Sequence, residues 1–144
     1  MKVFIDSNIL VSHLIYEHPH HEKAVTILNQ LLDDEATLVL SPQIIGEAYA
    51  ISTSPKRVEK PLSLEQFQSM VLSFLSDPAV DFVSPGIHAM RLALETGVKT
   101  NAISYKIFDL ILYGTMLEHG ITKIATINVK HFRNLEGIEL VPIP

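Results

Sequence analysis

The feature that most limits the fold of this chain is its alternation of short β-rich runs with longer helical stretches. Five runs read as strands: Lys2 to Ile5, Thr37 to Leu40, Val80 to Val83, Lys123 to Thr126 and Ile138 to Val141, each ending near a turn former or helix cap. Helical patterns fill the gaps. The first begins at Ser7 or Asn8 and runs to about Glu17; the second covers His20 to Asp33, with Ala24, Ile27, Leu28 and Leu31 at helical spacing. Ser41 is a cap followed by Pro42 at the first helical position, and the helix after it carries Glu47. Ser63 and Gln66 match a capping box ahead of Phe67, Met70, Val71 and Phe74. Two more helices span Pro85 to Gly97 and Ser104 to His119, the latter closed by Gly120. Crossovers of this length demand a mainly parallel sheet with helices on both faces, so a three-layer α/β/α domain over residues 1–144 is expected. Ser54 to Leu62 and Val98 to Ala102 are the expected loops, and neither has the character of an interdomain linker.

Composition narrows the function. Hydrophobic residues are 47% and charged residues 19% of the 144, which excludes disorder. The net charge of −5 removes a basic surface as a route to nucleic acid, so any such binding must come from a local site. The absence of cysteine excludes disulfides, thiolate metal sites, iron-sulfur clusters and a thiol nucleophile. Asp6 interrupts the N-terminal apolar run too early for a signal peptide, and no run approaches the ~18 residues of a membrane span. A soluble cytoplasmic protein with no membrane association is expected.

Three carboxylates and an amide stand out. Asp6 directly follows the first strand, at the carboxyl end where parallel sheets collect ligands; Ser7 offers a hydroxyl there, and Asn8 can brace the turn. An ordinary helix N-cap would also explain Asp6. Glu47 borders the apolar stripe Ile44, Ala48 and Ile51, where a carboxylate costs stability unless it is compensated or snorkels to water. Asp109 lies in a helix that is apolar nearly all round: Ile107, Leu110, Ile111, Gly114 and Leu117 form one stripe, and Asp109 falls opposite with Tyr105, Leu112, Tyr113 and Met116. That helix is expected to be buried, and an ionised Asp in it needs a cation, a donor network or a shifted pKa. Asn128 follows Thr126 at another strand end. If that strand neighbours the first, Thr126 and Asn128 meet Asp6 across the crevice, although a plain turn asparagine is the commoner role.

Two carboxylates about 5 Å apart repel by roughly 3 kcal/mol at an effective dielectric near 20, so three could converge only around a cation. Oxygen ligands without thiolate or paired histidines select Mg²⁺ or Mn²⁺, whose retained waters are potential nucleophiles.

Phe4-Ile5-Asp6-Ser7-Asn8-Ile9-Leu10, Ile44-Ile45-Gly46-Glu47-Ala48, Phe108-Asp109-Leu110-Ile111 and Ile124-Ala125-Thr126-Ile127-Asn128-Val129-Lys130-His131-Phe132 together resemble the PIN domain, in particular the VapC-type toxin nucleases of prokaryotic toxin/antitoxin pairs. The resemblance covers essentially the whole chain, with the four polar positions spaced 41, 62 and 19 residues apart. It implies a five-stranded parallel sheet, Mg²⁺- or Mn²⁺-dependent ribonuclease activity, a homodimer, and inhibition by a cognate antitoxin. It also implies Asp6, Glu47 and Asp109 as the acidic metal-binding triad, with Thr126 and Asn128 as the polar pair near a fourth position. Asp6 and Asp109 would be the main ligands, Glu47 would ligate or hold a water, and Thr126 or Asn128 would orient a water or a phosphate oxygen, with Ser7 and Asn8 beside them. Many members carry Asp where Asn128 stands, or just before the final Phe where this chain has His131.

Other signals are weaker. His18-Pro19-His20-His21 reads as a solvated helix start rather than a metal cluster. Lys56, Arg57 and Lys60, between Pro55 and Pro61, make a basic loop that could touch phosphates, and Lys130 and Arg133 follow the Asn128 turn. Two other functions compete. A phosphohydrolase with an Asp nucleophile also starts with Asp after a first strand, but needs a second Asp where Asn8 stands; a catalytically silent PIN-like module binding RNA or protein would fit Asn128 and His131.

Overall fold

The computed structural model describes residues 1–144 and contains one five-stranded, all-parallel sheet. Its strands are β1 (Lys2–Ile5), β2 (Thr37–Leu40), β3 (Val80–Phe82), β4 (Lys123–Ala125) and β5 (Glu139–Leu140), in the spatial order β3-β2-β1-β4-β5. Seven helices connect them: α1 (Ser7–Leu14), α2 (His21–Asp33), α3 (Pro42–Ser52), α4 (Leu64–Leu75), α5 (Ile87–Thr100), α6 (Lys106–Glu118) and α7 (Val129–Phe132). Successive residues of β1 and β2 point to opposite faces and yet are all buried from Val3 to Ile5 and from Leu38 to Leu40, so both faces are covered. Leu10 of α1, Leu28 of α2 and Phe74 of α4 pack with Ile5, Leu38, Leu40 and Val80, and Leu112 and Met116 of α6 complete the core.

The chain builds outward from β1 through β2 to β3, then crosses back to β4 and β5. The reversal falls between β1 and β4, where Ile5 pairs with Ala125 and the Asp6 N–H donates to the Ala125 carbonyl at 3.0 Å. Strand order therefore opens a crevice at the carboxyl ends of β1 and β4, with Asp6 on one lip and Thr126 on the other.

Several boundaries differ from the sequence expectation. α1 stops at Leu14, not Glu17, because Ile15 is extended and the exposed Tyr16 and Glu17 offer no apolar face to continue it. α5 starts at Ile87 rather than Pro85 and continues past Gly97 to Thr100, ending where Asn101 takes the left-handed conformation at φ 53°, so most of the expected Val98 to Ala102 loop is helical. The edge strand β5 has two residues instead of four, and α7 is a short helix that periodicity could not reveal. The expectation of a buried helix around Asp109 holds only from Leu110 onward: the first turn of α6 is open, with Tyr105 at its start 82% exposed and Phe108 46%. Leu112 and Met116, on the Asp109 side, face the core, while Gly114 packs on α5 so closely that a Cβ there would overlap the Ala89 carbonyl oxygen.

α5 has no side-chain cap of its own. Glu118, at the far end of α6, supplies one by accepting the Gly86 N–H at 2.6 Å and the Ala89 N–H at 3.3 Å. The Gly86 hydrogen bond is the main reason its carboxyl sits below the usual range.

Candidate active site

Asp6 is 5% exposed and caps α1, accepting the Ser7 N–H on Oδ1 at 2.7 Å. Its other oxygen accepts the Thr126 hydroxyl at 2.7 Å and the Asn8 amide at 3.2 Å. Thr126 in turn accepts from the Asn8 amide at 3.2 Å and from the Asn128 N–H at 3.0 Å. Asn8 closes the ring by accepting the Ile127 N–H at 3.0 Å. The sequence placed Ser7, Asn8 and Thr126 beside Asp6, and the fold brings all three there; Asn8 braces the crevice by tying the loop after β4 to the start of α1.

Glu47 arrives from α3, one and a half turns after the Ser41 cap, whose side chain accepts the Ile44 N–H at 3.4 Å. Its Oε2 accepts the Ser7 hydroxyl at 2.6 Å. Its Oε1 accepts the Gln43 amide at 2.8 Å, and the same amide donates to the Phe108 carbonyl at 3.0 Å, joining α3 to the first turn of α6. Gln43 escaped the sequence reading, although its position four residues before Glu47 on a helix was an available signal.

Asp109 enters from that first turn and pairs through Oδ2 with His131 Nδ1 at 2.7 Å. His131 belongs to α7, so nothing in the linear sequence announced the contact. Asn128 reaches the network only through its backbone N–H; it is exposed, and its side chain caps nothing. Lys130 lines a cavity of about 390 Å³ beside Asp109, together with His131, Lys106 and Asn134. Arg133 is exposed and does not line it. Arg57 and Lys60 line a separate cavity with Tyr16 and His18, where Lys60 pairs with Glu17 at 3.0 Å, and Lys56 is exposed on the same loop; the fold does not bring this loop into the crevice. His20 precedes α2 as its cap and His21 Nδ1 bonds the Ser12 carbonyl, in keeping with a helix start.

Burial pushes the Asp6 carboxyl above its ordinary value. The Thr126 and Ser7 hydrogen bonds oppose the shift, and the charges of Glu47 and Asp109 add to it. Asp109 is raised first by burial; His131 pulls it down and Glu47 pushes it up. Asp6 thus feels the charge of both other acids and Asp109 that of Glu47, and neither Asp6 nor Glu47 has a basic partner: the acid–base contacts of the chain are Lys2–Asp81, Lys60–Glu17 and, charged when the imidazole is protonated, His119–Glu118 and His131–Asp109. As they lie, no three acidic or histidine side chains stand close enough to grip one ion. The donor set is nonetheless one of hard oxygens, Asp6 and Glu47 have no basic partner, and Asp109 Oδ1 carries no hydrogen bond, so the residues fit a hard divalent cation.

A PIN domain family model matches residues 3–137. The chain belongs to the PIN domain family. This PIN domain is similar in structure to VapC20 of Mycobacterium tuberculosis, described as a sarcin-ricin loop cleaving toxin, at 14% identity, TM-score 0.71, and coverage of 97% of this chain and 99% of the other. It is similar to VapBC2 of Rickettsia felis, bound to a DNA fragment from its promoter, at 21% identity, TM-score 0.70, and 98% of both chains. DNA-bound VapBC of Salmonella typhimurium aligns at 19% identity and TM-score 0.67 over 98% of this PIN domain and 97% of that chain. No curated protein matches it in sequence.

Proposed function

We propose that this PIN domain is a Mg²⁺- or Mn²⁺-dependent endoribonuclease and the cytoplasmic toxin of a toxin/antitoxin pair, with its whole length forming one nuclease domain. The observation that carries the reading is the buried Asp6 at the β1/β4 crevice, which has no basic partner and is pressed by the charges of Glu47 and Asp109. Such a cluster is self-opposed without a cation.

Asp6 and Asp109 would hold the ion, with Glu47 as third ligand or as holder of a water. When bound, the ion would polarise the phosphodiester, supply hydroxide at neutral pH and neutralise the charge developing on phosphate. Thr126 fixes the Asp6 rotamer and Ser7 holds Glu47 beside it, so Asp6 is the fixed ligand around which the other acids would have to close. On this reading Thr126 or Asn128 would orient a water or phosphate oxygen, Asn128 after turning its side chain into the crevice, and Lys130 and Arg133 would contact RNA backbone. Lys56 and Arg57 would meet only RNA that extends beyond the crevice.

Two of the similar structures are toxin-antitoxin complexes on DNA, which supports an antitoxin partner here. A basic antitoxin side chain entering the acid-lined crevice would inhibit by charge-assisted hydrogen bonds. Ile87, Met90, Leu94 and Val98 form an exposed apolar stripe along α5, which fits a homodimer contact.

A silent RNA- or protein-binding module is the second reading, favoured by the His131–Asp109 pair, which occupies a carboxylate the metal needs. The Asp-nucleophile phosphohydrolase gains nothing, since Asn8 is committed to bracing the loop. Incubating the purified protein with RNA across a Mn²⁺ series separates the two main readings: metal-dependent cleavage that disappears in Asp6→Asn supports the nuclease, and binding without cleavage at any metal concentration supports the silent module.

A further inference from the structure

The first turn of α6 presents a surface that the carboxylate site does not use. Tyr105 is 82% exposed and Phe108 46%, and their rings lie nearly parallel, 25° apart in plane with centroids 6.4 Å apart. Ser104 just before them has a left-handed backbone at φ 58°, a conformation a serine adopts at a cost. This aromatic step adjoins the crevice, because the Phe108 carbonyl accepts from the same Gln43 amide that holds Glu47.

Beside Asp109 lies the 390 Å³ cavity, with Lys106 and Lys130 in its lining. Neither lysine ion-pairs with a carboxylate, and the only acid in the lining is Asp109, whose Oδ2 is already on His131. In a chain of net charge −5, this is a local reversal of sign beside the candidate reaction centre. Exposed aromatic faces next to unpaired cations are what unstacked nucleotides require: a π-surface for the base and positive charge for the backbone. A second copy of the chain suits this patch less well, since a two-fold contact would set like lysines against each other.

We propose that Tyr105 and Phe108 form a base-stacking step, and Lys106 and Lys130 a backbone clamp, that together hold an unpaired stretch of RNA against Asp109. The assignment rests on the ribonuclease reading and specifies which residues choose single-stranded over duplex substrate. These are positioning residues; the reacting atoms remain with the carboxylates.

The test is anisotropy of a labelled eight-nucleotide unstructured RNA, and of the same sequence as a duplex, in EDTA so that no cleavage intervenes. Single-stranded RNA is expected to bind more tightly than duplex. Tyr105→Ala is expected to weaken single-strand binding about tenfold, with Tyr105→Phe restoring it. The double variant Lys106→Gln/Lys130→Gln is expected to flatten the log affinity against log salt slope by about 1.4, from about 0.7 per neutralised phosphate on a single strand. Circular dichroism melts establish that each variant is folded. If wild type cleaves RNA but Tyr105→Ala binds the single strand as wild type does, the stacking step is overturned and the ribonuclease reading stands. If Tyr105→Ala instead changes only the sedimentation coefficient, the patch is a contact between copies and the proposal is equally overturned. If wild type neither binds nor cleaves RNA, the ribonuclease reading falls and takes the clamp with it.

Discussion

The Thr126 hydroxyl donates to Asp6 Oδ2 at 2.7 Å across the seam between β4 and β1, and Thr126 Oγ1 itself accepts the Asn128 N–H. One side chain therefore spends its proton on the buried acid and its lone pairs on the Asn8 amide and the loop that follows. Thr126→Val keeps the shape but strands the Asn128 N–H and removes a donor from a buried carboxylate, so a loss of about 1–3 kcal/mol in urea unfolding is expected. Thr126→Ser is expected to recover most of it.

Asp6→Asn and Asp109→Asn are each expected to reduce metal-dependent RNA cleavage by about 10²–10³-fold or more while the protein stays folded. Asn at position 6 can still accept the Ser7 N–H as a helix cap. Cleavage assays on variants with wild-type circular dichroism check this, and an unchanged rate in either would remove that residue from the reaction.

The raised carboxyls make a pH prediction for the metal-free protein. Asp6 and Asp109 hold their protons more tightly folded than unfolded, so their contribution is fully present below the ordinary value of 3.8 and is lost as pH rises through the raised folded values. Asp81 and Glu118 are lowered, and act in the opposite sense as pH falls. Comparing wild type with Asp109→Asn in EDTA cancels the latter pair. Wild type is expected to lose stability relative to the variant as pH rises above the ordinary carboxyl value of 3.8, measured by denaturant midpoints; a constant difference would show that Asp109 is unstrained.

Asn128→Asp tests the fourth position. Its side chain is exposed and caps nothing, so it is free to turn into the crevice. The added charge is expected to tighten Mn²⁺ binding severalfold and to lower apo stability by repulsion with Asp6. Calorimetric titration and apo melting temperatures read both effects, and no change in either would place Asn128 outside the site.

Gly114→Ala is expected to cost about 1–3 kcal/mol, because the new Cβ meets the Ala89 backbone carbonyl rather than a movable side chain. The melting temperature checks it, and Gly46→Ala, which meets nothing, is the control.

What was legible in the sequence follows from the range of the interactions. Asp6 could be placed at a ligand-binding edge because strand, acid and helix start are contiguous, and Ser63 with Gln66 form the capping box their spacing foretold. Glu47 and Asp109 were conspicuous as carboxylates in apolar surroundings, yet the reading of Asp109 as lying in a buried helix was too strong: tertiary packing covers α6 only beyond its first turn. His131 and Lys106 were missed as partners because their roles depend on α7 meeting α6, which no local periodicity encodes, and for Gln43 only its spacing to Glu47 was local, its bond to the Phe108 carbonyl being tertiary. The basic loop around Arg57 had the right composition for phosphate contact but the fold sends it to another cavity.

The most direct test of the carboxylate site is a Mn²⁺ titration of wild type and Asp6→Asn, read by calorimetry and by thermal melting. Wild type is expected to bind and to gain about 2.7 kcal/mol of stability at a hundredfold excess over Kd, through ligation that only the folded state offers, and Asp6→Asn is expected to show neither heat nor shift. Equal Mn²⁺ binding by both proteins, or none by wild type, would contradict a metal held at Asp6.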